Sequence, residues 1–142
     1  MAESELTALA RALLAGAPAP PPPLQLISVE ARGVPNQERI YLKANQRVEL
    51  RHYLLIAGLA LNDGTAFPGN TMMWLGNSTI EAGGWVIVYT GKGSPIVTKM
   101  QKTNEPTLVM YWGLDTTAFN AALMVPILVH VDKIQFPPSP KG

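Results

Sequence analysis

The chain reads as an all-β sandwich of about seven strands preceded by a short amphipathic helix on a proline tether, and three observations predict it. From Leu24 onward the apolar residues fall at a period of two, or in short runs broken by turn residues, rather than at helical spacing. The stretch Asn77 to Gly93 joins a glycine turn, Ala82-Gly83-Gly84, to the apolar strand Trp85-Val86-Ile87-Val88-Tyr89 and a glycine exit at Gly91. Before all of this, leucines at positions 6, 9, 13 and 14 make one helical stripe, and a proline run follows them.

The predicted helix occupies residues 1–16. Ser4 caps its first turn, Glu5 suits the positive end of the helix dipole, and Gly16 provides the exit. About three turns are too few to be stable alone in water, so Leu6, Leu9, Leu13 and Leu14 are expected to dock on the domain or on a neighbour. Residues 17–23 read Ala-Pro-Ala-Pro-Pro-Pro-Pro, a run that fixes φ and removes backbone donors, hence an extended polyproline spacer. The sandwich is assigned to 24–136 and a proline-rich tail to 137–142.

Strands are expected near 25–30, 39–43, 47–54, 71–75, 84–89, 107–112 and 126–135, with turns at Gly33-Val34-Pro35-Asn36, Ala44-Asn45-Gln46, Asn62-Asp63-Gly64, Pro68-Gly69-Asn70, Ala82-Gly83 and Thr103-Asn104-Glu105-Pro106. In the second and third of these, Ile40, Leu42, Val48 and Leu50 alternate with polar residues, which predicts one core face and one solvent face. Trp85 to Tyr89 and Pro126 to Val131 are apolar almost throughout, as in strands covered on both sides.

Composition narrows the function. At 142 residues the chain is one domain long, and 47% apolar against 15% charged residues excludes a disordered polymer and leaves apolar surface for a partner to cover. The formal net charge of +1 creates no long-range field to gather nucleic acid. Cysteine is absent, which removes disulfides, thiol nucleophiles and thiolate metal sites. An acidic start, Glu3 and Glu5, with Arg11 as the first basic residue, does not read as a secretory signal, and no apolar run of about 18 residues occurs. An intracellular or virion location is therefore expected over a secreted one.

The sequence offers no catalytic constellation. His52 and His130 are read as packing or hydrogen-bonded residues, and Asp63, Asp115 and Asp132 as turn or strand-end residues. Asn62-Asp63-Gly64 lacks the repeated acids of a calcium loop, and Gly91-Lys92-Gly93-Ser94 lacks the spacing and following helix of a phosphate loop. No metal, cofactor or enzymatic activity is expected.

Two binding surfaces compete instead. Met72, Met73 and Trp74, an adaptable pair of thioethers beside a large aromatic, are expected to anchor a protein partner together with the leucine stripe. Arg39, Lys43, Arg47 and Arg51 are placed on the outer face of one hairpin around Tyr41, a possible contact for nucleic acid. Lys92, Lys99 and Lys102 form a second stretch free of acids, and Trp74, Trp85 and Trp112 are the candidates for a sugar platform, Trp85 and Trp112 being read as core.

Three segments in order resemble the lamin-tail domain family. Gln37 to Leu55 is similar to its opening strand, polar turn and following strand; Ile80-Glu81-Ala82-Gly83-Gly84-Trp85 to Gly91 is similar to its glycine turn and core strand; Tyr111-Trp112-Gly113-Leu114 with Phe119-Asn120 resembles the aromatic signature of its bacterial members. The resemblance spans about Leu24 to Gln135 and implies an immunoglobulin-like sandwich used as an interaction module. The expected role is a non-catalytic structural component of a homo-oligomer or larger assembly such as a coat, capsid or complex subunit. An accessory domain for carbohydrate or nucleic acid is the alternative.

Overall fold

The structure, a computed structural model, describes residues 20–100 and 102–140. The expected helix and its four leucines lie outside the described residues. Within them the chain is nearly all β, with a single 3-10 turn at Leu50–His52. The strands are β1 (Leu24–Glu30), β2 (Arg39–Ala44), β3 (Val48–Glu49), β4 (Tyr53–Ala60), β5 (Ala66–Trp74), β6 (Thr79–Ile80), β7 (Trp85–Tyr89), β8 (Ile96–Lys99), β9 (Pro106–Tyr111) and β10 (Met124–His130).

They form a five-stranded sheet in the order β1-β2-β7-β9-β8, a three-stranded sheet β10-β4-β5, and a short pair β3-β6. All pairings are antiparallel except β7 with β9. The alternation in β2 sends Ile40, Leu42 and Ala44 inward, where they join Val86 and Val88 of β7 and Leu108 of β9. Against them lie Leu55 and Tyr53 of β4, with Leu24, Leu50, Leu75 and Phe119 closing the core. Trp112 packs on this cluster from a partly buried position, beside the Phe119 ring at 6.4 Å between centroids.

Several expectations need correction. The strand expected over 47–54 is broken: Val48–Glu49 pairs with β6, the 3-10 turn buries Leu50, and the chain then enters the three-stranded sheet as β4. The amide of Leu50 donates to the Ser78 carbonyl at 2.9 Å, which holds the crossing in place. A strand that changes sheets needs such a corner.

Pro68-Gly69-Asn70 is not a turn but the middle of β5. There residues 69–71 stand opposite Ala57 in a bulge, where the register passes from Ile56↔Met72 to Gly58↔Pro68. Gly69 permits the approach, since a Cβ there would collide with the Ala57 carbonyl oxygen. Pro68 is tolerated because β5 is an edge strand, and Pro126 because β10 is the other edge of the same sheet. The turn at Ala82-Gly83 is present as expected, with Gly83 at φ 87, a conformation that favours glycine. Strand β8, where the sequence predicts no strand, pairs with β9 and forms the far edge of the five-stranded sheet.

Candidate functional site

Register and alternation place side chains on each face of the three-stranded sheet. Leu55 of β4 is buried in the core, so Met73, its partner on β5, and Leu128, its partner on β10, face inward and pack on the core. The opposite, outward set is Val125, Ile127 and Val129 of β10, Leu54 and Ile56 of β4, and Met72 and Trp74 of β5. All seven are apolar. An antiparallel sheet with one face in water ordinarily carries polar residues there.

Strand β5 deepens the anomaly. None of its nine residues is buried, and Phe67, Met72 and Trp74 are 63%, 56% and 50% exposed. The residues that the sequence singled out are thus split: Met72 and Trp74 point outward, whereas Met73 faces the core. Trp74 is held in place by its indole Nε1, which donates to the Arg51 carbonyl at 2.9 Å. Missing from the sequence reading were Leu54, Ile56, Val125, Ile127 and Val129. Their signal was the unbroken apolar character of Leu54-Leu55-Ile56 and Val125 to Val131.

A second surface lies on the outer face of the five-stranded sheet. Inward positions of β7 are taken by Val86 and Val88, so Trp85, Ile87 and Tyr89 face out, and the expectation that Trp85 is a core residue is corrected. The Lys43 ammonium sits over the Trp85 ring at 5.2 Å, and Tyr41 meets that ring edge-on at 6.2 Å. Farther along, Arg39 lies over Tyr41 and Tyr89, and Tyr89 stacks on Tyr111 at 5.3 Å. The Tyr41 hydroxyl accepts from Arg39 Nε at 3.0 Å and raises the guanidinium pKa further.

Beside Trp85 opens a cleft of about 490 Å³, floored by Trp85 and Ile87 and bordered by Thr98, Lys99, Met100, Lys102 and Glu105. Its lining is mostly apolar. The Glu105 carboxylate is held below its usual range chiefly by the Thr103 hydroxyl, against an opposing desolvation, with smaller help from the Trp85 indole and Lys43. The indole N–H lies outside hydrogen-bonding geometry all the same: Trp85 Nε1 is buried and has no partner among the described residues.

The four-residue basic patch does not form. Because β2 pairs with β1 and β7, and β3 pairs with β6, the expected hairpin is absent, and Arg39 and Lys43 are separated from Arg47 and Arg51. Arg47 pairs with Glu81 at 3.3 Å and Arg51 with Glu49 at 3.4 Å, both in solvent. The three tryptophans likewise occupy three different places: Trp74 outside the small sheet, Trp85 outside the large one, and Trp112 against the core.

Other candidates have local structural roles. Lys92 is engaged by Asp115 at 2.6 Å, which raises the lysine and lowers the acid, and a strand rather than a helix follows Gly93-Ser94. Asp63 accepts from the amide and hydroxyl of Thr65, closing the β4–β5 hairpin turn. The two histidines are neighbours, their rings 6.3 Å apart, and His130 stacks on Tyr53 at 4.8 Å. His52 shares a shallow cleft with Asp132 and Trp74, but no ion pair joins it to the acid among the described residues. No group of three or more His, Cys, Asp or Glu able to hold a metal occurs among the described residues, and none of their helices is long and apolar enough to cross a membrane.

Comparison with family models, curated proteins and solved structures returned no match.

Proposed function

We propose that this chain is a non-catalytic interaction module, an immunoglobulin-like sandwich of the lamin-tail kind, which docks through its sandwich surface and N-terminal segment into a homo-oligomer or larger assembly. The observation that carries the reading is the outward face of β10-β4-β5, apolar at all seven positions. Fully burying one such side chain contributes about 1.5–3 kcal/mol relative to full exposure; Met72 and Trp74 are about half exposed and the other five partly buried already, so a covering partner gains a fraction of that at each position before the costs of association. A flat apolar sheet with an open edge is suited to receive another sheet or strand.

The lamin-tail assignment rests on the three quoted segments, and the domain's all-β architecture is compatible with it. Light scattering over a concentration series tests the assembly: a discrete oligomer is expected, and a monomer at every concentration up to the solubility limit overturns the self-assembling form of the reading.

A further inference from the structure

The outer face of the five-stranded sheet repeats one combination at both ends. Register sets Arg39, Tyr89 and Tyr111 in one row across β2, β7 and β9, and Lys43, Trp85 and Thr107 in another, four residues away along β7, about 13 Å at strand rise. In the first row the Arg39 guanidinium lies over Tyr41 and Tyr89, and Tyr89 stacks on Tyr111. In the second the Lys43 ammonium lies over Trp85 from the β2 side, and the cleft bordered by Lys99 and Lys102 opens on the β9 and β8 side. Each end thus joins partly exposed rings to cations.

Cations outnumber acids on this face. Glu105 is matched by Lys43 at 4.0 Å, and Glu30 stands opposite Arg39 in register, whereas Lys99 and Lys102 are exposed and take part in no ion pair among the described residues. A neutral sugar would use the rings and leave these lysines idle, and a single charged ring would fill one end alone. Flat rings and negative charges that recur along one molecule match both ends, and a single-stranded nucleic acid carries them. A duplex keeps its bases stacked inside, out of reach of a sheet.

We propose that the outer face of the large sheet binds single-stranded nucleic acid. One base enters the cleft of about 490 Å³ and stacks on Trp85, and a second stacks at the Tyr89 end, where the Arg39 guanidinium lies on the rings. The backbone between them crosses the row of Tyr41 and Ile87, and its phosphates meet Lys99, Lys102 and Arg39. This face is separate from the outward side of β10-β4-β5, so each reading can fail without the other.

Fluorescence anisotropy of a labelled oligothymidylate of about 12 nucleotides, titrated with the full chain, tests the proposal. The single strand is expected to bind at least ten times more tightly than a duplex of equal length or polyphosphate of equal charge. Three phosphate contacts predict a slope of log affinity against log salt of about −2, and Lys99→Gln with Lys102→Gln is expected to reduce it to about −0.7. Trp85→Leu is expected to weaken binding about 5- to 150-fold, and Trp85→Phe, which keeps a ring, to weaken it less. Met72→Glu, on the small sheet, is expected to leave binding unchanged. An unfolding midpoint close to the parent's shows that each variant is folded; if Trp85→Leu fails that check, the salt slope and the polyphosphate comparison decide. Duplex or polyphosphate bound as tightly as the single strand, a neutral glucose oligomer that displaces it, or no binding up to about 100 µM overturns the inference.

Discussion

The Glu38 carboxylate accepts the backbone N–H of Phe119 at 3.1 Å, across 81 positions of sequence. The same group accepts from the amides of Ala118 and Gly33, both at 2.7 Å, and from the Thr90 hydroxyl at 2.9 Å, and the residue is only 1% exposed. One buried acid thus ties the turn before β2, the end of β7 and the loop that delivers Phe119 to the core. Where the domain's long loops meet, they are fastened by charge-assisted hydrogen bonds rather than by a disulfide.

Glu38→Ala is therefore expected to destabilise the domain by about 3 kcal/mol or more, because three backbone N–H groups lose their acceptor in a dry site. Urea unfolding measures it as a lowered midpoint. Glu38→Gln, which keeps one acceptor oxygen, is expected to fall between the two.

Gly69→Ala is expected to cost about 1–3 kcal/mol, the usual penalty of forcing extra volume into a packed contact. The clash is with the Ala57 carbonyl, so the loss should concentrate in the β4–β5 pairing. Amides of residues 66–74 then exchange faster while those of β2 and β7 keep their protection.

Desolvation raises the Tyr53 phenol above its ordinary value of 10.0. With the folded pKa above the unfolded one, the stabilisation is fully present below about pH 10 and is lost as pH rises from there through the folded value. Tyr53→Phe should flatten that alkaline decline, seen as thermal midpoints that differ less from parent at pH 8 than at pH 11.

Ile127→Glu and Met72→Glu place charge on the outward face of the small sheet without touching the core. Each is expected to weaken association at least tenfold in a sedimentation series, with unfolding midpoints of the monomer changed little.

The sequence made the all-β class legible through period and turns, and the core through Ile40, Leu42, Val86 and Val88, whose alternation is local. The unbroken apolar character of β7 and β10 predicted cover on both faces, whereas among the described residues Val125, Ile127 and Val129 of β10 and Trp85 and Tyr89 of β7 are partly exposed on the outer faces. Three things were out of reach. Strand partners depend on long-range closure, so nothing local revealed that β2 and β3 lie in different sheets. Pro68-Gly69-Asn70 has turn chemistry, and only its position on an edge beside Ala57 makes it a bulge. The Trp85 cleft required β8 to pair with β9, which brought Lys99 beside an indole fourteen positions earlier in the chain.

Amide hydrogen exchange of β5, compared at concentrations above and below association, tests the interface most directly. The expected result is that the amides of residues 66–74 that point away from β4, on the open edge of the sheet, exchange freely in the dilute protein and become protected when it associates, with Met72→Glu abolishing the difference. Unchanged exchange along β5 in an oligomer of established size would contradict the assignment of this face as the contact surface.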